Sequence, residues 1–246
     1  MNVWKLVSRR GRTGLGAVTA LAVVATPLAL GVVTAPAASA AQPAPGFSGL
    51  VPQTPRTNTP MISNGEILDI AVAGDHAYVA GSFTTIANKT GNTATINQAG
   101  LASFNWRTGQ VDTTFRPTFG GGGVSAVEAS PDGTKLFVSG SFNTVNGVAE
   151  QKVASLNPTT GAPVTGFSFS KSTNNQATAL AATNSTLYVG GKFTRVNGVT
   201  MSGLAAVNAS TGAVDTSFSN PITGGIGVNG ALTVQQLKLT HDESKL

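Results

Sequence analysis

One string recurs three times along this 246-residue chain and constrains its fold more than any other feature. Tyr78-Val-Ala-Gly-Ser-Phe83 returns as Phe137-Val-Ser-Gly-Ser-Phe142 and again as Tyr188-Val-Gly-Gly-Lys-Phe193. Each copy is preceded by another apolar run: Ile67 to Ala73, Val124 to Ser130, Ala177 to Ala182. Each is followed by Leu101-Ala-Ser-Phe104, Val153-Ala-Ser-Leu156 or Leu204-Ala-Ala-Val207, and then by a turn that runs from Asn to Gly: Asn105 to Gly109, Asn157 to Gly161, Asn208 to Gly212. Asn opens such a turn by bonding its own backbone, and Gly supplies the positive φ that closes it. A fourth run comes after the turn: Val111 to Phe115, Pro163 to Phe167, Val214 to Phe218. Short β-branched and aromatic runs at even spacing, with no helical period, predict an all-β array with four strands per unit.

The central glycines Gly81, Gly140 and Gly191 lie 59 and 51 residues apart, a period that suits four-stranded propeller blades better than the shorter coils of a β-helix. The longer first step comes from an insertion near Ala87 to Gln98: Phe83 to Leu101 spans 18 positions, whereas Phe142 to Val153 and Phe193 to Leu204 each span 11. These glycines are expected in mid-strand, where a missing side chain lets neighbouring blades approach. The repeated phenylalanines 83, 142, 193, 115, 167 and 218 are expected in the core.

The fold expected is therefore a β-propeller-like array with blades at about 65–119, 120–170 and 171–221. Residues 232–246 align with the opening of a fourth, since Val234 to Leu246 matches Val124 to Leu136 position for position. A closed propeller needs roughly four to eight blades. Either the chain is a fragment of a longer protein, which the exposed strand edges of an open array favour, or its units close by self-association.

The N-terminus reads as an export signal over residues 1–40. Lys5, Arg9, Arg10 and Arg12 open it, Leu15 to Val33 is mostly apolar, and Ala38-Ser39-Ala40 supplies small residues for cleavage. Ser8-Arg9-Arg10 hints at twin-arginine export, but Gly11 and Arg12 replace the hydrophobic residues that normally follow. Residues 41–63, rich in Pro, Thr, Gln and Asn, read as a spacer before repeats spanning 64–246. Four of the 15 Lys and Arg belong to the leader, which leaves 11 against 10 acidic residues and a mature net charge near +1. The remaining cations are scattered, so nucleic-acid binding is not expected. No membrane span is expected after cleavage. Without cysteine the fold has neither disulfides nor thiolate chemistry.

As a set, Tyr188-Val-Gly-Gly-Lys-Phe-Thr-Arg-Val-Asn-Gly198, Leu204-Ala-Ala-Val-Asn208 and Val214-Asp-Thr-Ser-Phe218 resemble the delta-60 repeats of secreted bacterial proteins. The resemblance spans about residues 65 to 246, and a related pattern occurs in fungal cortical marker proteins. It implies a β-propeller and supplies no catalytic residue, since the family has no established common activity.

Candidate chemistry is sparse. His76 and His241 both fall where a turn joins the first two strands of a unit, so they read as solvated turn residues and give little support to a Ser-His-Asp arrangement. Asp112 and Asp215 stand at equivalent places, with Thr165 between them in the series, and either line a channel that takes a cation or sugar or bond to a neighbouring turn. Trp106 replaces Pro158 and Ala209 in the matched turn; it is a candidate for stacking on a sugar, or a cap packed on Arg107. Asn88 and Asn92 in the insertion are candidates for a polar binding rim. Gly120 to Gly123 and Gly224-Gly225 lack the Lys and Ser/Thr of a phosphate loop and read as linkers between blades. No Asp-x-Asp-x-Asp-Gly loop is present, and no metal, cofactor or catalytic residue is assigned.

The function expected is a non-enzymatic binding or scaffold module, secreted or attached to the cell wall, that recognises a glycan or a surface protein. The alternatives are a fragment of a propeller polysaccharide hydrolase or lyase, which needs carboxylates converging on a central channel, and a structural spacer without its own activity.

Overall fold

Three antiparallel three-stranded sheets, one per sequence unit, form the body of the computed structural model. In the first, Ile67–Ala73, His76–Gly81 and Leu101–Asn105 pair in that order. The second joins Val124–Ala129, Leu136–Gly140 and Val153–Leu156, and the third Ala177–Ala182, Thr186–Gly191 and Leu204–Asn208. The structure describes residues 56–169, 176–222, 226–227, 230–231 and 233–246, so the expected signal segment and most of the expected spacer lie outside the described residues.

The fourth run of each unit is not a full strand, which corrects the expectation of four strands per unit. It touches the sheet through one bridge each time: Phe104 with Val111, Leu156 with Pro163, Val207 with Val214. The chain then turns away, because Phe167 and Phe218 donate their amides back to the carbonyls of Val164 and Asp215. Asp215 also accepts the Ser217 amide at 2.9 Å and the Ser217 hydroxyl at 2.6 Å. Side-chain bonds of this local kind compete with continuation of a ladder.

The repeated glycines also sit differently from the expectation. Gly81, Gly140 and Gly191 end their strands opposite a bulge in the first strand of the same unit. A Cβ on any of them would collide with a backbone carbonyl oxygen of that unit, from Glu66, Gly123 and Gln176 respectively. Those carbonyls accept the amides of Ser82, Ser141 and Lys192 at 2.9, 2.9 and 3.0 Å. The close approach is therefore within a unit and fixes the bulge, rather than between units.

Small outer hairpins complete each unit. Val145-Asn-Gly-Val148 and Val196-Asn-Gly-Val199 are two-residue turns with both central φ angles positive, 50° and 78° in the first and 47° and 85° in the second. Asn-Gly is the pair such turns prefer. Asn146 also ties its hairpin to the body, accepting the Thr118 amide at 2.8 Å. Gly120, read as linker, belongs to a short strand, Phe119–Gly120, paired with Thr144–Val145. In the first unit the insertion replaces the tight turn with a hairpin of Thr85–Ala87 and Thr95–Asn97, and Met61 bridges to Ala87.

The core is built from the repeat. Phe83, Phe142, Phe193, Phe115 and Phe167 are buried, while Phe218 is half-buried. Aromatic pairs recur at the same place in each unit: Tyr78 with Phe115 at 5.4 Å, Phe137 with Phe167 at 6.0 Å, Tyr188 with Phe218 at 5.8 Å. One apolar cluster joins the first two units through Tyr78, Leu101 and Phe115 on one side and Val127, Leu136 and Val138 on the other. The Tyr78 hydroxyl crosses that junction to donate to the Pro158 carbonyl at 3.0 Å, and burial followed by the charge on Asp112 pushes its pKa up to about 12.

Candidate binding cleft

The first strands of successive units lie together and line one cleft of about 290 Å³. Leu68 and Asp69 come from the first unit, Ser125, Ala126 and Glu128 from the second, Thr178 to Leu180 from the third, and Gln235 to Lys238 from the segment that opens a fourth. A bulge in each first strand sets which residues face this way, because it inserts one residue between Ile67 and Asp69, Val124 and Ala126, and Ala177 and Ala179.

Two carboxylates border the cleft, and both also stitch units together. Asp69 accepts the Ile70 amide through Oδ1 at 2.9 Å and the Val127 amide of the next unit through Oδ2 at 3.0 Å. Glu128 is half-buried, and burial is the main cause that raises its pKa to about 7. The Lys238 cation works against that rise, the Asp69 charge adds to it, and the Ala182 amide of the third unit, bonded to the carboxyl, opposes it. Thr178 continues the pattern by donating its hydroxyl to the Val234 carbonyl at 2.8 Å. The cleft thus presents carboxyl, hydroxyl, amide and ammonium groups from separate elements, a donor and acceptor set suited to a hydrogen-bonding ligand.

Neither Asp69 nor Glu128 was singled out by sequence reasoning, which looked for channel carboxylates at Asp112 and Asp215. The available signal was a charge inside a first strand otherwise made of apolar and small residues. Asp112 instead accepts from the Ser103 hydroxyl and meets His76 Nδ1 at 2.8 Å. Here the carboxylate stands between Ser103 and His76, so the imidazole does not reach the hydroxyl as a base would in nucleophilic catalysis. His76 opens the second strand rather than lying in the turn, whereas His241 lies in an exposed turn. Asp215 is exposed and spends its Oδ1 on Ser217; that bonding and the Phe218 amide hold its pKa below the usual carboxylate range.

The remaining candidates belong to the periphery of the first unit. Trp106 is half-buried, donates its indole N–H to the Gly74 carbonyl at 2.9 Å and carries two guanidinium groups near its ring, Arg107 at 4.4 Å and Arg56 at 5.1 Å. Arg107 is exposed and pairs with Asp75 at 2.5 Å. Asn88 is buried and closes the insertion: it accepts the Val111 amide at 2.7 Å and donates to the Asn92 carbonyl at 3.1 Å. Asn92 accepts the Ala94 amide at 3.1 Å, a local turn bond. None of these six sequence candidates borders the first-strand cleft.

A second, less polar pocket of about 410 Å³ lies between the first two units, where Phe83, Phe119 and Val124 meet the returning arm of the insertion at Asn97 and Gln98. Among the described residues no group of three or more His, Cys, Asp or Glu side chains is placed to hold a metal ion, and no helix is long and apolar enough to cross a membrane.

Residues 184–218 match the family described as a domain of unknown function, DUF5122, β-propeller. The matched stretch contains the second and third strands of the third sheet, its Asn-Gly hairpin and its Asn-to-Gly turn. It supports a β-propeller family for this chain, whose described fold is all-β. Among solved structures, the crystal structure of the computationally designed Ika4 protein is similar at 14% identity with a TM-score of 0.41, covering 71% of this chain and 80% of that one. No curated protein matches.

Proposed function

We propose that this chain is an exported β-propeller-type binding module, acting at the cell surface or outside the cell, whose first-strand cleft takes a glycan. The observation that carries this reading is the convergence of three first strands and the segment Gln235 to Lys238 on one polar cleft. A sugar offers many hydroxyls and needs many donors and acceptors, and Gln235, Gln236, Ser125 and Lys238 supply them beside the carboxyls of Asp69 and Glu128. The basic, apolar and small-residue order of residues 1–40 supports export.

The test is retention on purified cell-wall polysaccharide. The wild-type chain should be retained and the Gln235→Ala/Gln236→Ala double variant lost, because both side chains border the cleft. Equal retention of both would remove the cleft from the reading.

A polysaccharide hydrolase or lyase is the second reading, favoured by one observation: Asp69 and Glu128 border the same cleft and Glu128 is poised near pH 7. Against it, both oxygens of Asp69 already accept backbone amides, which holds that carboxylate in a structural role. New chain ends appearing in the polysaccharide with wild type but not with Glu128→Gln would decide for the enzyme.

A further inference from the structure

Asp69, Glu128 and Lys238 border the first-strand cleft, and each comes from a different element. Asp69 is the titratable residue of Ile67–Ala73 and Glu128 that of Val124–Ala129, while Ala177–Ala182 has none. Lys238 belongs to the segment Gln235 to Lys238. The titratable residues that follow it, His241, Asp242, Glu243 and Lys245, are exposed around the next turn and do not border the cleft.

This arrangement selects by charge. A ligand anion meets the carboxyls of Asp69 and Glu128, and a ligand cation meets the Lys238 ammonium. In a cleft of about 290 Å³, attraction to one group is therefore offset by repulsion from another, whichever sign the ligand carries. An uncharged polyol meets no such repulsion and finds the Ser125 hydroxyl and the Gln235 and Gln236 amides to bond.

Glu128 differs from the other two charged groups. Asp69 spends both oxygens on backbone amides, at 2.9 and 3.0 Å, and Lys238 is exposed. Glu128 is half-buried, is paired in its sheet with the apolar Phe137, and accepts the Ala182 amide. Burial, then the Asp69 charge, favour its protonated form against the opposing Lys238 cation and Ala182 amide. A ligand seated beside it excludes more water and favours the neutral acid further. That acid both donates and accepts hydrogen bonds, as sugar hydroxyls do.

Resting on the reading of the cleft as a glycan site, we infer that it takes uncharged glycans and that Glu128 takes up a proton as the glycan binds. Affinity then follows the fraction of chains in which Glu128 is protonated. It is full well below the carboxyl's pKa of about 7 and falls as pH rises through that value.

Isothermal titration of uncharged oligomers of glucose, mannose and N-acetylglucosamine tests this on wild type and Glu128→Gln, with circular dichroism confirming that each chain is folded. Wild type should bind at least one of them, at least about tenfold more tightly at about pH 5.5 than at about pH 8.5. Glu128→Gln, whose amide donates and accepts like the neutral acid, should bind with the same affinity at both. At the lower pH, oligomers of galacturonate and of glucosamine, of matched length, should bind at least about tenfold more weakly than the uncharged ligand. Wild-type binding that is flat or strengthens as pH rises, a pH dependence that survives in Glu128→Gln, or a charged oligomer bound most tightly would overturn the inference while leaving a glycan site in place. Absence of binding by every oligomer at both pH values would remove the glycan reading itself, and this inference with it.

Discussion

Gln98 and Glu150 occupy the same place in the first and second units, each donating its backbone amide to the equivalent residue, Thr84 or Asn143. Gln98 puts its side-chain amide on the carbonyls of Leu101 at 2.8 Å and Pro117 at 3.0 Å. Glu150 is just as buried, yet its Oε2 has no hydrogen-bond partner, and burial raises its pKa. A carboxylate there must lose hydration that the site does not replace. Glu150→Gln restores the donor used by Gln98 and should stabilise the fold by about 1–2 kcal/mol at pH 7, measured by urea unfolding. A destabilised variant would contradict this equivalence.

The terminal glycines of the second strands make a sharper test of the bulge. Gly140→Ala forces its Cβ onto the Gly123 carbonyl and should cost about 2 kcal/mol or more, because only backbone can yield. Gly123→Ala, where nothing lies within 4 Å of a new Cβ, should change stability by less than about 0.5 kcal/mol. Equal costs would mean that the close approach does not set the substitution penalty.

Glu128 gives the cleft a pH signature. Its pKa is raised to about 7 in the fold from an ordinary 4.5, so the protonated form is the one the fold favours. The associated stability is fully present below about pH 4.5 and is lost as pH rises through about 7. Glu128→Gln removes the titration. It should match wild type near pH 4 and exceed it by about 1–3 kcal/mol at pH 8, read from paired unfolding curves. A gap that narrows as pH rises has the wrong sign.

Trp106 separates stability from binding. Its indole N–H is committed to Gly74 and its ring to two arginines, so Trp106→Phe should cost about 1 kcal/mol in urea unfolding and leave polysaccharide retention intact. Loss of retention with unchanged stability would return the binding site to this turn.

Much of the architecture was legible in the sequence because repetition exposes it: the first three strands of each unit, the Asn-to-Gly turns and the core phenylalanines fell where three aligned copies placed them, with Phe218 only half-buried. The fourth strand was not, because Asp215 and the turn after Val164 bend the chain by local bonds that a pattern of apolar residues does not reveal. The cleft was harder still. Asp69 and Glu128 occupy different registers of their strands, so comparing copies at matched positions, the method that found Asp112 and Asp215, passes over them. Only stacking of the first strands brings them together.

Isothermal titration of soluble cell-wall oligosaccharides into the wild-type chain and into Gln235→Ala/Gln236→Ala is the decisive measurement for a glycan-binding cleft. Wild type should bind saturably, and binding should weaken at least about tenfold in the variant through the loss of two side-chain hydrogen-bonding groups. Binding of equal strength in both, with each chain folded, would contradict a glycan site between the first strands.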